Sequence, residues 1–294
     1  MFRMPILYLA LAGLFAATVT AADLTVINVP GALETQAYGL NNHGDIAGFY
    51  KDAAGKLHGF LMRKGVLSYP IDAPVAGTTG TQIWGINEAG DMAGAYSAPT
   101  GDPPKLVQHG FVVRKGQFTS FDVPDSTFTA GFAINTEGDV TGHYGTPPSG
   151  KMRGYLMRNG VFTTFGAEDW SMPNTMTCGF GVNAEQYIVG HFQDGSGQHG
   201  FLLAGNVFTP INYPEAGAIN TNAYGINPQG EIVGYYKDIA GKMRGFLRNP
   251  WGEFTPLDIP GALATFPLRV NARGQIAGYF RDSGNALRGF VLSR

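Results

Sequence analysis

The segment from Gly166 to Thr177, GAEDWSMPNTMT, puts Glu168 and Asp169 beside Trp170, with Asn174 four residues on. Carboxylates and an amide that can share hydroxyl hydrogens, next to an indole that can stack, suit contact with a carbohydrate or a peptide. Two carboxylates are also what a glycosidase needs. Such pairs face each other across about 5 to 9.5 Å, whereas adjacent residues tend to diverge. A second candidate set is six threonines, Thr35, Thr81, Thr129, Thr177, Thr221 and Thr265, each three residues before a recurring motif. They form either a ring of hydroxyls at a channel mouth, open to a ligand, or side-chain bonds to the loop backbone at a strand start.

Three histidines, His58, His109 and His199, precede Gly-Phe, and Arg153, Arg244 and Arg288 hold the same place in other copies. A guanidinium is no zinc ligand, so hydrogen bonding or stacking on a ring is the expectation for this position, and no metal is expected. Asp52, Asp194, Asp238 and Asp282 each stand alone in their loops, which suits Asx turns better than calcium. No Gly-x-Ser-x-Gly elbow and no His-x-x-x-His pair occurs. No catalytic residue and no cofactor is expected.

These residues sit in a repeat. YGLNNHGDIAGFY, WGINEAGDMAGAY, FAINTEGDVTGHY, FGVNAEQYIVGHF, YGINPQGEIVGYY and LRVNARGQIAGYF begin at Tyr38, Trp84, Phe132, Phe180, Tyr224 and Leu268. Their asparagines fall at 41, 87, 135, 183, 227 and 271, a period matching a four-stranded propeller blade. An inner strand ends at Asn-x-x-Gly and turns into a second strand. A polar loop leads to a third strand, and a Lys-Gly or Asn-Gly turn leads to the fourth. The opening aromatic is expected to pack between copies.

The last copy lacks its fourth strand. LTVINVPGALET, from Leu24, matches FTPLDIPGALAT, from Phe254, so Leu24 to Val29 should pair as the outer strand of the last copy. The expected fold is all-β: a six-bladed β-propeller of four-stranded blades, its ring closed by the N-terminal strand. The repeat, followed by His or Arg, Gly, and Phe or Tyr, closely resembles that of the bacterial exported repeats known as the HAF family of extracellular repeats. The family's His-Ala-Phe triplet stands here as His58-Gly59-Phe60, His109-Gly110-Phe111, Arg153-Gly154-Tyr155, His199-Gly200-Phe201, Arg244-Gly245-Phe246 and Arg288-Gly289-Phe290. The resemblance implies export and repeat architecture, and it transfers no catalytic residue.

Arg3 followed by an apolar run and small residues before Ala21 and Ala22 reads as a signal peptide over residues 1–22. Residues 23–294 should then be one propeller domain, secreted or periplasmic, monomeric, with no membrane span. A net charge of −2 and no basic run leave no footprint for nucleic acid. A single cysteine, Cys178, allows no internal disulfide. The functional expectation is a non-catalytic binding or scaffold module, its ligand a carbohydrate or a protein. The alternative is a propeller enzyme, a glycoside hydrolase or lactonase, using carboxylates at the channel mouth. Irregularity concentrates in the links into the inner strands and in SAPTGDPPKLVQ of copy two, so a ligand is expected on the face that carries them.

Overall fold

A computed structural model describes residues 23–101, 103, 105–148, 151–170 and 176–294. The expected signal peptide lies outside them. Apart from one 3-10 turn, Ala167–Trp170, the regular elements among the described residues are all strands. In the first copy Glu34–Leu40, Ile46–Lys51, Leu57–Arg63 and Val66–Ile71 pair antiparallel in chain order. The same four-strand pattern recurs along the chain. Single parallel bridges, Leu57 to Gly80 and Met152 to Met176, join two pairs of copies into eight-stranded sheets.

The N-terminal strand, Leu24–Ile27, pairs antiparallel with Leu287–Leu292, Leu24 opposite Leu292 and Ile27 opposite Gly289. It completes a four-stranded sheet with Ala264–Val270 and Ile276–Arg281 and ends two residues before the expected Val29. One part of the expectation needs correction. The four sheets remain separate ladders and do not close into a hydrogen-bonded ring. The sheets meet through side chains instead.

Two devices, repeated along the chain, make those contacts. Each inner strand slips register at the residue that opens the motif, as between Ala37 and Gly39 or Ile83 and Gly85. That β-bulge places one side chain per copy against its neighbours. Trp84 stacks on Phe132 and Phe180 on Tyr224, each pair at 4.2 Å, and Phe132 meets Phe180 at 4.9 Å. Each such pair adds about 0.5–1.5 kcal/mol beyond burial.

The asparagines do double duty. The Oδ1 of Asn41 accepts from Asp45 N at 2.9 Å inside its own turn, while its Nδ2 donates to Asn87 O, 3.1 Å, in the next copy. The inter-copy bond recurs from Asn87 to Asn135, Asn135 to Asn183 and Asn227 to Asn271. It also runs from Asn271 to Asn41, 3.0 Å, linking the last copy to the first.

The Phe or Tyr of the His/Arg-Gly triplets is the best-buried large side chain, at most 1% exposed at all six positions. At Gly59, Gly110, Gly154 and Gly245 the glycine before it is required by contact. A Cβ at Gly154 would lie 2.2 Å from the Phe165 ring, and one at Gly59 would lie 2.6 Å from Ile83. Alanine, which the HAF triplet carries, would not fit there. Cys178 is buried with its Sγ 3.9 Å from Met152 Sδ, and burial pushes its thiol pKa up.

Candidate functional site

The links into the inner strands share one face with the loops between second and third strands. Leu33 N donates to Lys51 O, Thr79 N to Ser97 O, Thr127 N to Gly145 O and Leu263 N to Arg281 O, all 2.8–2.9 Å. On this face the basic residue of the third strand spans two acceptors in five of the six copies. His58 meets Asp72 through Nδ1 at 2.9 Å and Asp52 through Nε2 at 3.2 Å, and lies over Tyr50 at 5.3 Å. His199 bridges Asn212 and Asp194, Arg244 bridges Asp238 and Asp258, and Arg288 bridges Asp282 and Asn28.

The aspartates also cap their own loops. Asp52 Oδ1 accepts from Ala54 N and Lys56 N. These bonds to the ionised form hold the carboxyls below their ordinary range. Lys56 N leads at Asp52 and Ser196 at Asp194, which falls to about 2. Arg244 leads at Asp238 and Arg288 at Asp282.

In copy two this bridge is incomplete. His109 Nδ1 meets Asp122 at 2.8 Å, and its ring lies over Tyr96. Ala98 occupies the place that Asp52 holds in copy one. His109 Nε2 is buried without a hydrogen-bond partner among the described residues.

The structure assigns the six threonines to the loop backbone. Each is at most 3% exposed. Their Oγ1 atoms accept from Val29 N, Ala73 N, Val123 N, Ala167 N, Tyr213 N and Ile259 N, at 2.9–3.0 Å. The hydroxyl ring open to a ligand is not formed, because each oxygen fastens the link that precedes it. Glu168 and Asp169 are brought together rather than apart. Arg153 forks between them, 2.6 Å to Glu168 and 2.7 Å to Asp169, and Lys151 adds a bond of 3.2 Å to Glu168. Both acids complete the basic bridge of copy three, so they are not a facing catalytic pair. The Trp170 side chain and Asn174 lie outside the described residues. Glu215 accepts from Tyr236 OH at 2.8 Å, whereas Asp125 is exposed.

The centre of the molecule holds a residue that the sequence reading passed over. Where other copies carry Gly39, Gly85, Ala133, Gly181 and Gly225, the last carries Arg269. Its guanidinium donates to the carbonyls of Trp84, Phe132, Tyr224 and Leu268 at 2.6–3.1 Å. All four carbonyls belong to bulge residues. Small residues are needed opposite, since a Cβ at Gly225 would lie 2.6 Å from Leu268 O. Burial lowers the Arg269 pKa to about 10. Arg269 floors a cavity of about 90 Å³ on the Asn-x-x-Gly face, rimmed by Asn42, Glu88, Asn135 and Asn183. A substitution signal was present: one large cation in a column of small residues.

His143 and His191, second-strand counterparts in adjacent copies, pack on Phe132 and Phe180 at 5.0 Å. Neither nitrogen of His191 has a hydrogen-bond partner among the described residues, nor does His143 Nδ1. His143 keeps some accessible surface, but its ring packs against Phe128, Phe132 and Phe180, and this apolar surround governs its charge. Burial drives His143 to about 3, with His191 adding to it, and drives His191 to about 4. Asn222 offsets part of the shift at His191 without reaching bonding distance.

Both folded-state values lie below the ordinary value of 6.5, so the unfolded chain takes up these protons first. The stability from neutral histidine is complete above pH 6.5 and erodes as pH falls toward 4 and 3. The aspartates act lower, their contribution fading from about pH 4 toward 2. Urea midpoints at pH 7 and pH 5 should differ, with up to about 2 kcal/mol from each histidine. Replacing His143 and His191 by Phe should flatten that difference. A double variant with the parent's pH dependence would assign the loss elsewhere.

No family model and no curated protein matches the chain. Solved structures do. A fungal lectin from Aleuria aurantia, described as a six-bladed β-propeller with a novel fucose recognition mode, aligns at TM-score 0.50 and 14% identity, over 88% of this chain and 91% of that one. The SapL1 lectin, solved with alpha methyl fucoside, aligns at 0.55 and 10%, over 89% of this chain and 94% of that one. A gluconolactonase from Xanthomonas campestris aligns at 0.50 and 10%, over 89% and 88%. At these identities the likeness is one of fold, and it establishes this chain as an all-β protein of β-propeller type.

Proposed function

We propose that residues 23–294 form one exported six-bladed propeller, its last blade completed by the N-terminal strand, that binds carbohydrate on the link face. The reading includes a signal peptide cut near Ala21 or Ala22, a monomeric state and kinship with the HAF repeats. The observation that carries the binding site is the unfinished bridge at His109. Five of the six basic third-strand residues meet two acceptors, and this one meets one. A rigid repeat in which one copy leaves a polar atom unsatisfied has a place for a partner from outside. Fold neighbours that are sugar-binding lectins make carbohydrate the first class to test, although fold alone does not fix function.

The second reading, a lactonase, is favoured by the gluconolactonase likeness. A glycosidase has less support, since Glu168 and Asp169 both answer to Arg153. A neutral glycan array probed with the chain from Asp23 onward should give saturable binding. An empty array together with hydrolysis of a sugar δ-lactone would replace the lectin reading with the enzyme.

A further inference from the structure

A cavity of about 350 Å³ lies between the second and third copies on the link face, lined by Val107, His109, Asp122, Asp125, Thr127 and Phe128 among others. That volume is within the roughly 300–1,000 Å³ typical of small-ligand sites. Three departures from the repeat meet there. The hairpin of copy two is lengthened, Met92–Thr100 against Lys105–Arg114, where copy one has Ile46–Lys51 and Leu57–Arg63. Its added length supplies one wall. Ala98 replaces the second acceptor of the basic bridge and leaves His109 Nε2 unpartnered. The link Val123-Pro124-Asp125-Ser126-Thr127-Phe128 stands where copy one has Val29-Pro30-Gly31-Ala32-Leu33-Glu34. Gly31 and Ala32 thereby become an acid, Asp125, and a hydroxyl, Ser126.

The wall is held in place. Thr127 N donates to Gly145 O at 2.9 Å, and Gly145 N donates to Phe128 O at 3.1 Å. Ser126 Oγ meets Thr129 Oγ1 at 3.0 Å, and Phe128 stands edge-on to His143 at 5.9 Å. Asp125 takes a positive φ of 59°, the conformation Gly31 takes in copy one. An aspartate kept where glycine is easiest argues for its carboxylate rather than its backbone.

We infer that this cavity is a subsite for one neutral pyranose ring. Asp122 and Asp125 accept from ring hydroxyls, a ligand hydroxyl meets the unpartnered His109 nitrogen, and Phe128 forms the apolar wall. Two carboxylates against one imidazole disfavour uronic and sialic acids. The inference rests on the carbohydrate reading above and adds the place and the sugar class.

The test uses a panel of neutral and acidic methyl pyranosides, observed by amide and imidazole ¹⁵N shifts of the chain from Asp23 onward. Val107→Trp fills the cavity and leaves the His109–Asp122 pair intact, while Asp122→Asn keeps the volume and removes the charge. The expected result is shifts confined to His109, Asp122 and Asp125 to Phe128 with a neutral pyranoside. Each variant should weaken binding about tenfold or more, the size expected for a lost charged hydrogen bond, at an unchanged urea midpoint. Shifts elsewhere, with Val107→Trp binding like the parent, would overturn the subsite and leave the carbohydrate reading standing. Preference for the acidic sugars would overturn the sugar class. No binding by any pyranoside would overturn the subsite and remove the support for the carbohydrate reading together.

Discussion

Removal of Asp23 to Val29 is expected to abolish cooperative folding. The segment supplies the outer strand of the last sheet, with Leu24 opposite Leu292 and Ser293 N bonded to Asp23 O. Ile27 and Val29 are each 2% exposed, in a cluster with Ala37, Leu40, Phe60 and Ala277. That cluster joins the first copy to the last. Burying two such side chains contributes about 1.5–3 kcal/mol each, and the lost ladder and the Val29–Thr35 bond add to this. Total stabilities of about 5–15 kcal/mol leave little after such a loss. The strand Leu287–Leu292 would also become an unpaired edge, inviting association. Denaturation and sedimentation of the truncated chain check this. A synthetic peptide spanning Asp23 to Thr35 should restore the fold in trans. A monomeric truncated chain with the parent's midpoint would refute the need for this strand in the last sheet.

Arg269→Met is expected to lower stability by about 3–5 kcal/mol, or roughly 10 °C in melting temperature. A buried cation is costly to hold, which by itself would favour methionine. What decides the sign is that the acceptors stay behind. The carbonyls of Trp84, Phe132, Tyr224 and Leu268 lose this donor at once, and each orphaned acceptor costs about 1–3 kcal/mol. Lysine at 269 keeps the charge but not the planar fork, so it should restore part of the loss. A methionine variant as stable as the parent would mean that the axis does not depend on this side chain.

The repeat was legible because each copy needs the same few residues for the same contacts. Asn at the turn, Gly beside the triplet aromatic and the opening aromatic all have a role that shows as periodicity. The missing fourth strand was legible for the same reason, since Leu24 to Thr35 carries the text of Phe254 to Thr265. The inter-copy bond from each asparagine was not, because its partner is a backbone carbonyl and leaves no mark on side-chain identity. The threonine column misled in part. A hydroxyl at a strand start looks the same in sequence whether it faces a ligand or a loop amide.

Glu168 and Asp169 misled for a related reason, since the guanidinium that gathers them comes from Arg153 on another strand. His109 shares its residue type with His58 and His199, so its difference lies in Ala98, eleven positions away in chain but two register steps across the hairpin. Arg269 was visible as the one cation in a column of small residues, yet its meaning depends on bulges that only the backbone reveals.

If function lies where one copy departs from the other five, the chain carries one site. Native mass spectrometry of the chain from Asp23 onward, titrated with the best neutral glycan from the array, measures that number directly. The predicted result is saturation at one glycan per chain, lost on Val107→Trp. Several equivalent sites per chain, one to a copy, would place recognition in the repeat itself and contradict the account.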